Sequence, residues 1–97
     1  ASYEKTLQTA YREVADLLVA QATLQDQLNA QNANLKSQNE RLRLVQSRYA
    51  LGAANQLELL DAQRDSYNAQ QNAIQVLRQL FSTTSLLFKA LGGDVTN

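Results

Sequence analysis

Several residue types that carry chemistry or stabilise small folds are missing from this chain. Its 97 residues include no Cys, His, Met, Trp or Pro and only three Gly. Without Cys and His, neither a disulfide framework nor the usual zinc sites can form, and catalysis by either side chain is excluded. The chain is short enough for at most one small domain.

The charge balance also argues against two classes of partner. Nine basic and nine acidic side chains give a net charge of zero, so no electrostatic footprint for a nucleic acid or an anionic membrane surface is present. No apolar run approaches the roughly 18 residues needed to span a bilayer. We therefore expect no nucleic-acid partner and no direct membrane insertion of this segment.

Apolar residues recur every three or four positions in the first half of the chain. Eleven of the fourteen positions in this series are apolar, and neither Gly nor Pro interrupts it. Its average spacing of about 3.5 residues is typical of a coiled-coil seam, so we predict one helix over about residues 2–51. The series is Tyr3, Leu7, Ala10, Val14, Leu17, Gln21, Leu24, Leu28, Gln31, Leu35, Gln38, Leu42, Val45 and Tyr49.

A second series with the same spacing follows Gly52 and predicts a helix over about residues 55–91. Gly52 suits the left-handed position after a helix end, and Asn55 with Glu58 resembles a capping box, so residues 52–55 are the predicted turn. The glycine pair at 92 and 93 predicts the helix end and a tail of residues 92–97. The second series is Leu60, Gln63, Tyr67, Gln70, Ile74, Leu77, Phe81, Thr84, Phe88 and Leu91.

So short a turn makes the helices antiparallel neighbours, and the predicted fold is an all-α, long antiparallel coiled-coil helical hairpin. Residues facing each other then have numbers that sum to about 105, which leaves Tyr3, Leu7 and Tyr11 without partners in the chain. A further apolar stripe on each helix widens the apolar face beyond what two helices can cover. It consists of Tyr11, Leu18 and Ala22 on the first helix and of Leu59, Ala62, Ala69, Val76, Leu80 and Leu87 on the second. We expect self-association or packing on other helices, although five Gln in the seam would make an isolated hairpin marginal.

The one cluster with catalytic side-chain types lies beside the turn. Glu58, Asp61 and Asp65 are interleaved with Arg64, opposite the basic residues Arg41, Arg43 and Arg48 of the first helix. Carboxylate pairs need a desolvated pocket to act as acid and base, and a helical hairpin offers none. Negative charge at a helix start and an i, i+3 pair of Asp61 with Arg64 favour a solvated, locally paired run. We therefore predict no enzyme, no metal and no cofactor.

Four strings match a known family in order and spacing. They are S-R-Y-A-L-G at 47–52, L-E-L-L-D-A-Q-R at 57–64, A-Y-R-E-V-A-D at 10–16 and F-K-A-L-G-G at 88–93. Together they closely resemble the TolC-like outer-membrane efflux channels, over nearly the whole chain. Family members are trimers whose protomers add strands to an outer-membrane barrel and helices to a periplasmic α-barrel. The chain is similar to the lower hairpin of the second repeat, a periplasmic fragment of a Gram-negative outer-membrane protein that meets the membrane only through parts not present here.

The resemblance also implies roles for residues at the turn. Leu57 and Asp61 match positions that ring the closed channel entrance, with Arg64 as the partner of Asp61. Tyr49 matches a tyrosine that holds the closed state, whereas Glu58 is divided between helix capping and facing the pore. The docking segment for a periplasmic adaptor, itself bound to an inner-membrane pump, corresponds to Ala50, Leu51, Gly52 and Ala53.

Two other functions remain open at this point. The chain could be a free-standing structural or adhesive coiled coil, in which the charges near the turn only set the register. It could also be the hairpin of a periplasmic adaptor, although adaptors carry a different sequence at the turn. The strings at 47–52 and 57–64 favour the channel, as a segment that acts through iris-like gating and adaptor docking.

Overall fold

Two α-helices make up the fold. The computed structural model describes residues 2–96, with side chains for residues 3–92. Helix α1 (Ser2–Ala50) and helix α2 (Gln56–Thr96) are joined by a turn of residues 51–55. No strand occurs in these residues, so the fold is the predicted all-α helical hairpin. Neither helix has a stretch apolar enough, over the residues described, to cross a bilayer.

The hairpin divides into two compact units, each with a segment of both helices. The turn unit is Gln27–Val76, and the terminal unit is Ala1–Asp26 with Leu77–Asn97. In the terminal unit Gln21 Nε2 donates a hydrogen bond to Thr84 Oγ1 at 3.0 Å. In the turn unit Ser66 Oγ donates to Asn39 Oδ1. The residue numbers of both pairs sum to 105, which confirms the predicted register.

The face that α1 turns towards α2 is the one that the sequence predicts. Every position of the α1 series from Ala10 to Val45 is buried or half-buried. Tyr3, Leu7 and Tyr11, which the sequence leaves without partners in the chain, are exposed. Tyr49 departs from the prediction because it is 43% exposed. In this register Tyr49 lies level with Gln56, where α2 only begins, so little of α2 is available to cover its ring.

The face of α2 that packs on α1 was predicted wrongly. Ile74, Leu77 and Thr84 of the predicted series are half-buried, and its other members are exposed. The series that packs on α1 is shifted by one residue towards the N-terminus throughout. At one such position Leu80 is 9% exposed, whereas Phe81, the predicted contact, is 63% exposed. The buried apolar residues of α2 are Ala62, Ala69, Ala73, Leu80 and Leu87.

Side-chain size explains this error. Two apolar series with the same period run along α2 one residue apart. The prediction assigned the helix contact to the series with the larger, aromatic residues. The structure packs the series that contains Ala62, Ala69 and Ala73, because small side chains let two helix backbones approach closely. Tyr67, Phe81 and Phe88 therefore remain on the outside of the helix pair.

Helix α2 also extends beyond its predicted end. It continues through the glycine pair at 92 and 93 to Thr96, so most of the expected tail is helical. Glycine in a helix costs about 1 kcal/mol relative to alanine, but it ends a helix only where the chain turns into another conformation, and none of residues 94–97 is a Pro that would force one. Asn97, the last residue of the predicted tail, lies outside the described residues.

Candidate functional site

The turn between the helices is closed by backbone hydrogen bonds centred on Gly52. Gly52 has φ of +77°, the left-handed conformation that glycine adopts without steric cost. Its N–H donates to the carbonyl of Tyr49 at 3.0 Å, and the N–H of Ala53 donates to the carbonyl of Arg48 at 2.7 Å. This pair of bonds is the Schellman arrangement at a helix C-terminus. Gly52 thus ends α1 as the sequence predicts.

Helix α2 begins with the predicted side-chain cap. Asn55 Oδ1 accepts a hydrogen bond from the backbone N–H of Glu58 at 2.8 Å. The carbonyl of Asn55 accepts from the N–H of Leu59 at 3.2 Å, the first bond of the helix. Asn55 is therefore the N-cap residue. The reciprocal half of a capping box would direct Glu58 back to Asn55, but its carboxylate is directed to Arg48.

Arg48 connects the last turn of α1 with both the turn and α2. Its Nη1 donates to Glu58 Oε1 at 2.6 Å, and its Nη2 donates to the carbonyl of Ala53 at 3.3 Å. Because the Arg48 carbonyl also accepts from the Ala53 N–H, both backbone polar groups of Ala53 are bound by one residue. We call Arg48, Glu58 and Ala53 with these bonds the turn clamp.

The residues implied at a channel entrance share one face of α2. Leu57, Asp61 and Arg64 are separated by four and three positions, so their side chains lie along one line of the helix. Leu57 and Arg64 are exposed and Asp61 is half-buried. Arg64 Nη2 lies 3.5 Å from Asp61 Oδ1, which is the predicted pair. An exposed pair with this separation is loose and can exchange partners.

A tighter ion pair joins the two helices further from the turn. Arg41 Nη1 donates to Asp65 Oδ2 at 2.6 Å, and Arg64 Nε lies 3.7 Å from the other carboxylate oxygen. The hydrogen bond from Arg41 is the main reason that the pKa of Asp65 is below its ordinary value. On α1, a hydrogen bond from Arg43 likewise lowers the pKa of Glu40.

The predicted docking residues lie at the surface. Ala50, Leu51, Gly52 and Ala53 are all exposed, and Leu51 is 85% exposed. Leu57, in the first turn of α2, is 67% exposed. Two large apolar side chains, one in the turn and one in the first turn of α2, therefore face solvent.

The structure thus brings most of the predicted residues together and gives a specific contact to Arg48, for which the sequence predicts no individual role. Leu57, Glu58, Asp61 and Arg64 fall within the first turns of α2. The sequence places Arg48, with Arg41 and Arg43, only among the basic residues of the first helix opposite the acidic cluster. The position of Arg48 one turn before a predicted C-terminal glycine, opposite an acidic residue of the next helix, was the available signal. No acidic group of three or more with metal-binding geometry occurs in the described chain.

Comparisons with known proteins agree on one family. The family described as "Outer membrane efflux protein" matches residues 1–93. The probable efflux pump outer membrane protein TtgC of Pseudomonas putida is 46% identical over 94 residues, which are 96% of this chain and 19% of TtgC. The toluene efflux pump outer membrane protein TtgF of Pseudomonas putida is 43% identical over 97 residues, 100% of this chain and 20% of TtgF.

A relative from a second species gives the same result. The outer membrane protein OprJ of Pseudomonas aeruginosa is 45% identical over 93 residues, which are 96% of this chain and 19% of OprJ. No solved structure matches the chain significantly. The chain spans about a fifth of the length of these relatives. With a family match over nearly its whole length, the chain belongs to the outer membrane efflux protein family.

Proposed function

We propose that this chain forms the periplasmic entrance of a trimeric outer-membrane efflux channel, where it gates the pore and docks a periplasmic adaptor that connects to an inner-membrane pump. The observation that supports the proposal is the face beside the turn that carries exposed Leu57 and Arg64 and half-buried Asp61, in a chain of the outer membrane efflux protein family. Its action is conformational, and none of its residues is assigned a catalytic role.

Symmetry explains how one loose ion pair could gate a pore. In a trimer, a face next to the threefold axis occurs three times, so three Asp61 carboxylates converge. Alone they would repel each other and hold the entrance open, but each has Arg64 within 3.5 Å to offset its charge. The closed state would therefore be stabilised by local neutrality, with Leu57 as an apolar constriction near the same axis.

The adaptor would bind the surface around the turn. Ala50, Leu51, Gly52 and Ala53 expose little side-chain bulk apart from Leu51, so a helical hairpin of the adaptor can approach the backbone closely. The Schellman turn and the Asn55 cap hold this segment in one conformation before binding, which reduces the entropy lost on docking.

Single-channel conductance in a planar bilayer tests the gating role, with the full-length channel that carries this segment. Asp61→Asn should leave each Arg64 with only the Asp65 carboxylate at 3.7 Å, and Arg64→Gln should leave three unopposed Asp61 carboxylates. Both variants should raise the leak of the closed channel, Arg64→Gln at least fivefold, because each pair of like charges about 4 Å apart in water repels by about 1 kcal/mol and three charges form three such pairs. The double variant, which restores neutrality, should leak less than either single variant.

Asp26→Asn is the matched control, since it makes the same chemical change on an exposed residue of α1 in the terminal unit. It should leave the leak unchanged. Unchanged leak in both single variants, or a double variant leakier than each of them, would contradict the gating role.

A further inference from the structure

Glu58 is one helical turn from Asp61, yet its carboxylate has a different environment. It accepts a hydrogen bond of 2.6 Å from Arg48, a residue of the other helix, while Asp61 is paired within α2. The Glu58 side chain is 37% exposed, less than the 42% of Asp61. It is therefore directed towards α1 rather than along the line of Leu57, Asp61 and Arg64.

The second terminal nitrogen of Arg48, Nη2, adds a contact with the turn. The planar guanidinium group of Arg48 holds Glu58 through one nitrogen and the Ala53 carbonyl through another. A forked donor of this kind restrains both acceptors at once, which a lysine ammonium on a flexible stem does less well. Ala53 follows Gly52 directly and its carbonyl belongs to the Ala53–Ala54 peptide, so the restraint acts one peptide beyond the left-handed residue.

We propose that Glu58 is a positioning residue, which with Arg48 clamps the turn into the shape that it presents for docking, and that Glu58 contributes no charge to the ion path at the entrance. The assignment of docking and entrance rests on the proposed function. The clamp itself depends only on contacts within the turn unit. It removes Glu58 from the set of channel-lining residues that the family resemblance implies.

Hydrogen exchange of the Ala53 amide in the 97-residue chain tests the clamp directly. Glu58→Gln and Arg48→Gln should each speed its exchange by about two- to fivefold, the range that corresponds to the loss of one exposed ion pair. The double variant should exchange no faster than the more affected single variant, since both changes break the same contact. Arg48→Lys should also speed exchange, because lysine keeps the charge but lacks the fork.

Glu40→Gln provides the matched control. Glu40 forms an exposed pair with Arg43 inside α1, so its loss removes an Arg–Glu contact that does not touch the turn. Ala53 exchange should be unaffected in this variant. Equal effects of Glu40→Gln and Glu58→Gln, additive effects of the Arg48 and Glu58 changes, or full protection in Arg48→Lys would each overturn the clamp.

Ion selectivity of the full-length channel separates the clamp from the entrance. Glu58→Gln should change the ratio of cation to anion permeability by less than about twofold, whereas Asp61→Asn should change it severalfold. A shift as large in Glu58→Gln as in Asp61→Asn would overturn the assignment of Glu58. No shift with Asp61→Asn, together with faster Ala53 exchange in Glu58→Gln, would reject the proposed entrance while supporting the clamp.

Discussion

The same glycine-to-alanine change should have opposite effects at two places in this chain. A Cβ added at Gly52 or at Gly92 would meet no atom within 4 Å, so neither substitution creates a steric clash with neighbouring groups. The two sites differ in backbone conformation: Gly52 has φ of +77°, and Gly92 lies within α2. Any difference between the variants therefore reports the backbone alone.

The magnitudes follow from the two conformations. An alanine in the left-handed region lowers the free energy of unfolding by about 1–2 kcal/mol. The smaller conformational freedom of alanine in the unfolded chain offsets about 0.5 kcal/mol of this, so Gly52→Ala should destabilise by about 1 kcal/mol. For a chain of this size that corresponds to a fall in Tm of roughly 4–8 °C. Gly92→Ala should instead stabilise by about 0.5 kcal/mol and raise Tm by a few degrees, because alanine favours the helix.

Thermal unfolding followed by circular dichroism at 222 nm measures both variants under one set of conditions. Gly52→Asn adds an internal check, because asparagine tolerates the left-handed conformation better than alanine and should lose less stability. If Gly52→Ala were neutral or stabilising, the left-handed turn would not persist in solution. If Gly92→Ala were as damaging as Gly52→Ala, the contrast between their backbones would be the wrong explanation.

Two further predictions concern packing and pH. In urea unfolding, Leu80→Ala should destabilise the chain by about 2–4 kcal/mol, because Leu80 is buried. Phe81→Ala should cost only about 0.5 kcal/mol, because Phe81 is exposed. A larger loss with Phe81→Ala would support the α2 face predicted from sequence instead. The lowered pKa of Asp65 means that its bond with Arg41 contributes stability above the ordinary aspartate pKa of about 3.9, and that this contribution is lost as the pH falls through the lower folded-state value. Tm measured from pH 7 to pH 2 should therefore fall less steeply in Asp65→Asn than in the unaltered chain. Identical profiles for the two proteins would show that the ion pair contributes nothing to the pH dependence of stability.

Local sequence signals were sufficient to predict how the turn ends one helix and begins the next. Gly52 and Asn55 have backbone and side-chain preferences that act within a few residues, and both take the expected positions. The i, i+3 pair of Asp61 and Arg64 was predictable for the same reason, since both residues belong to one helix and its geometry sets their separation. The contacts of Arg48 with Glu58 and Ala53 could not be predicted from the sequence. A long side chain at a helix end can reach several acceptors, and the path of the turn selects among them.

The sequence by itself determined two helices, the turn that joins them and the register in which they pair. These features depend on periodicity, on the preferences of Gly52 and Asn55 and on the length of the connection, all of which can be read along one chain. Only the tertiary structure decided which apolar series of α2 meets α1, because the two series have the same period and differ in bulk. Close approach of the helices favours the alanines at 62, 69 and 73, and it leaves Phe81 and Phe88 outside, a choice that exists only when two backbones are brought together.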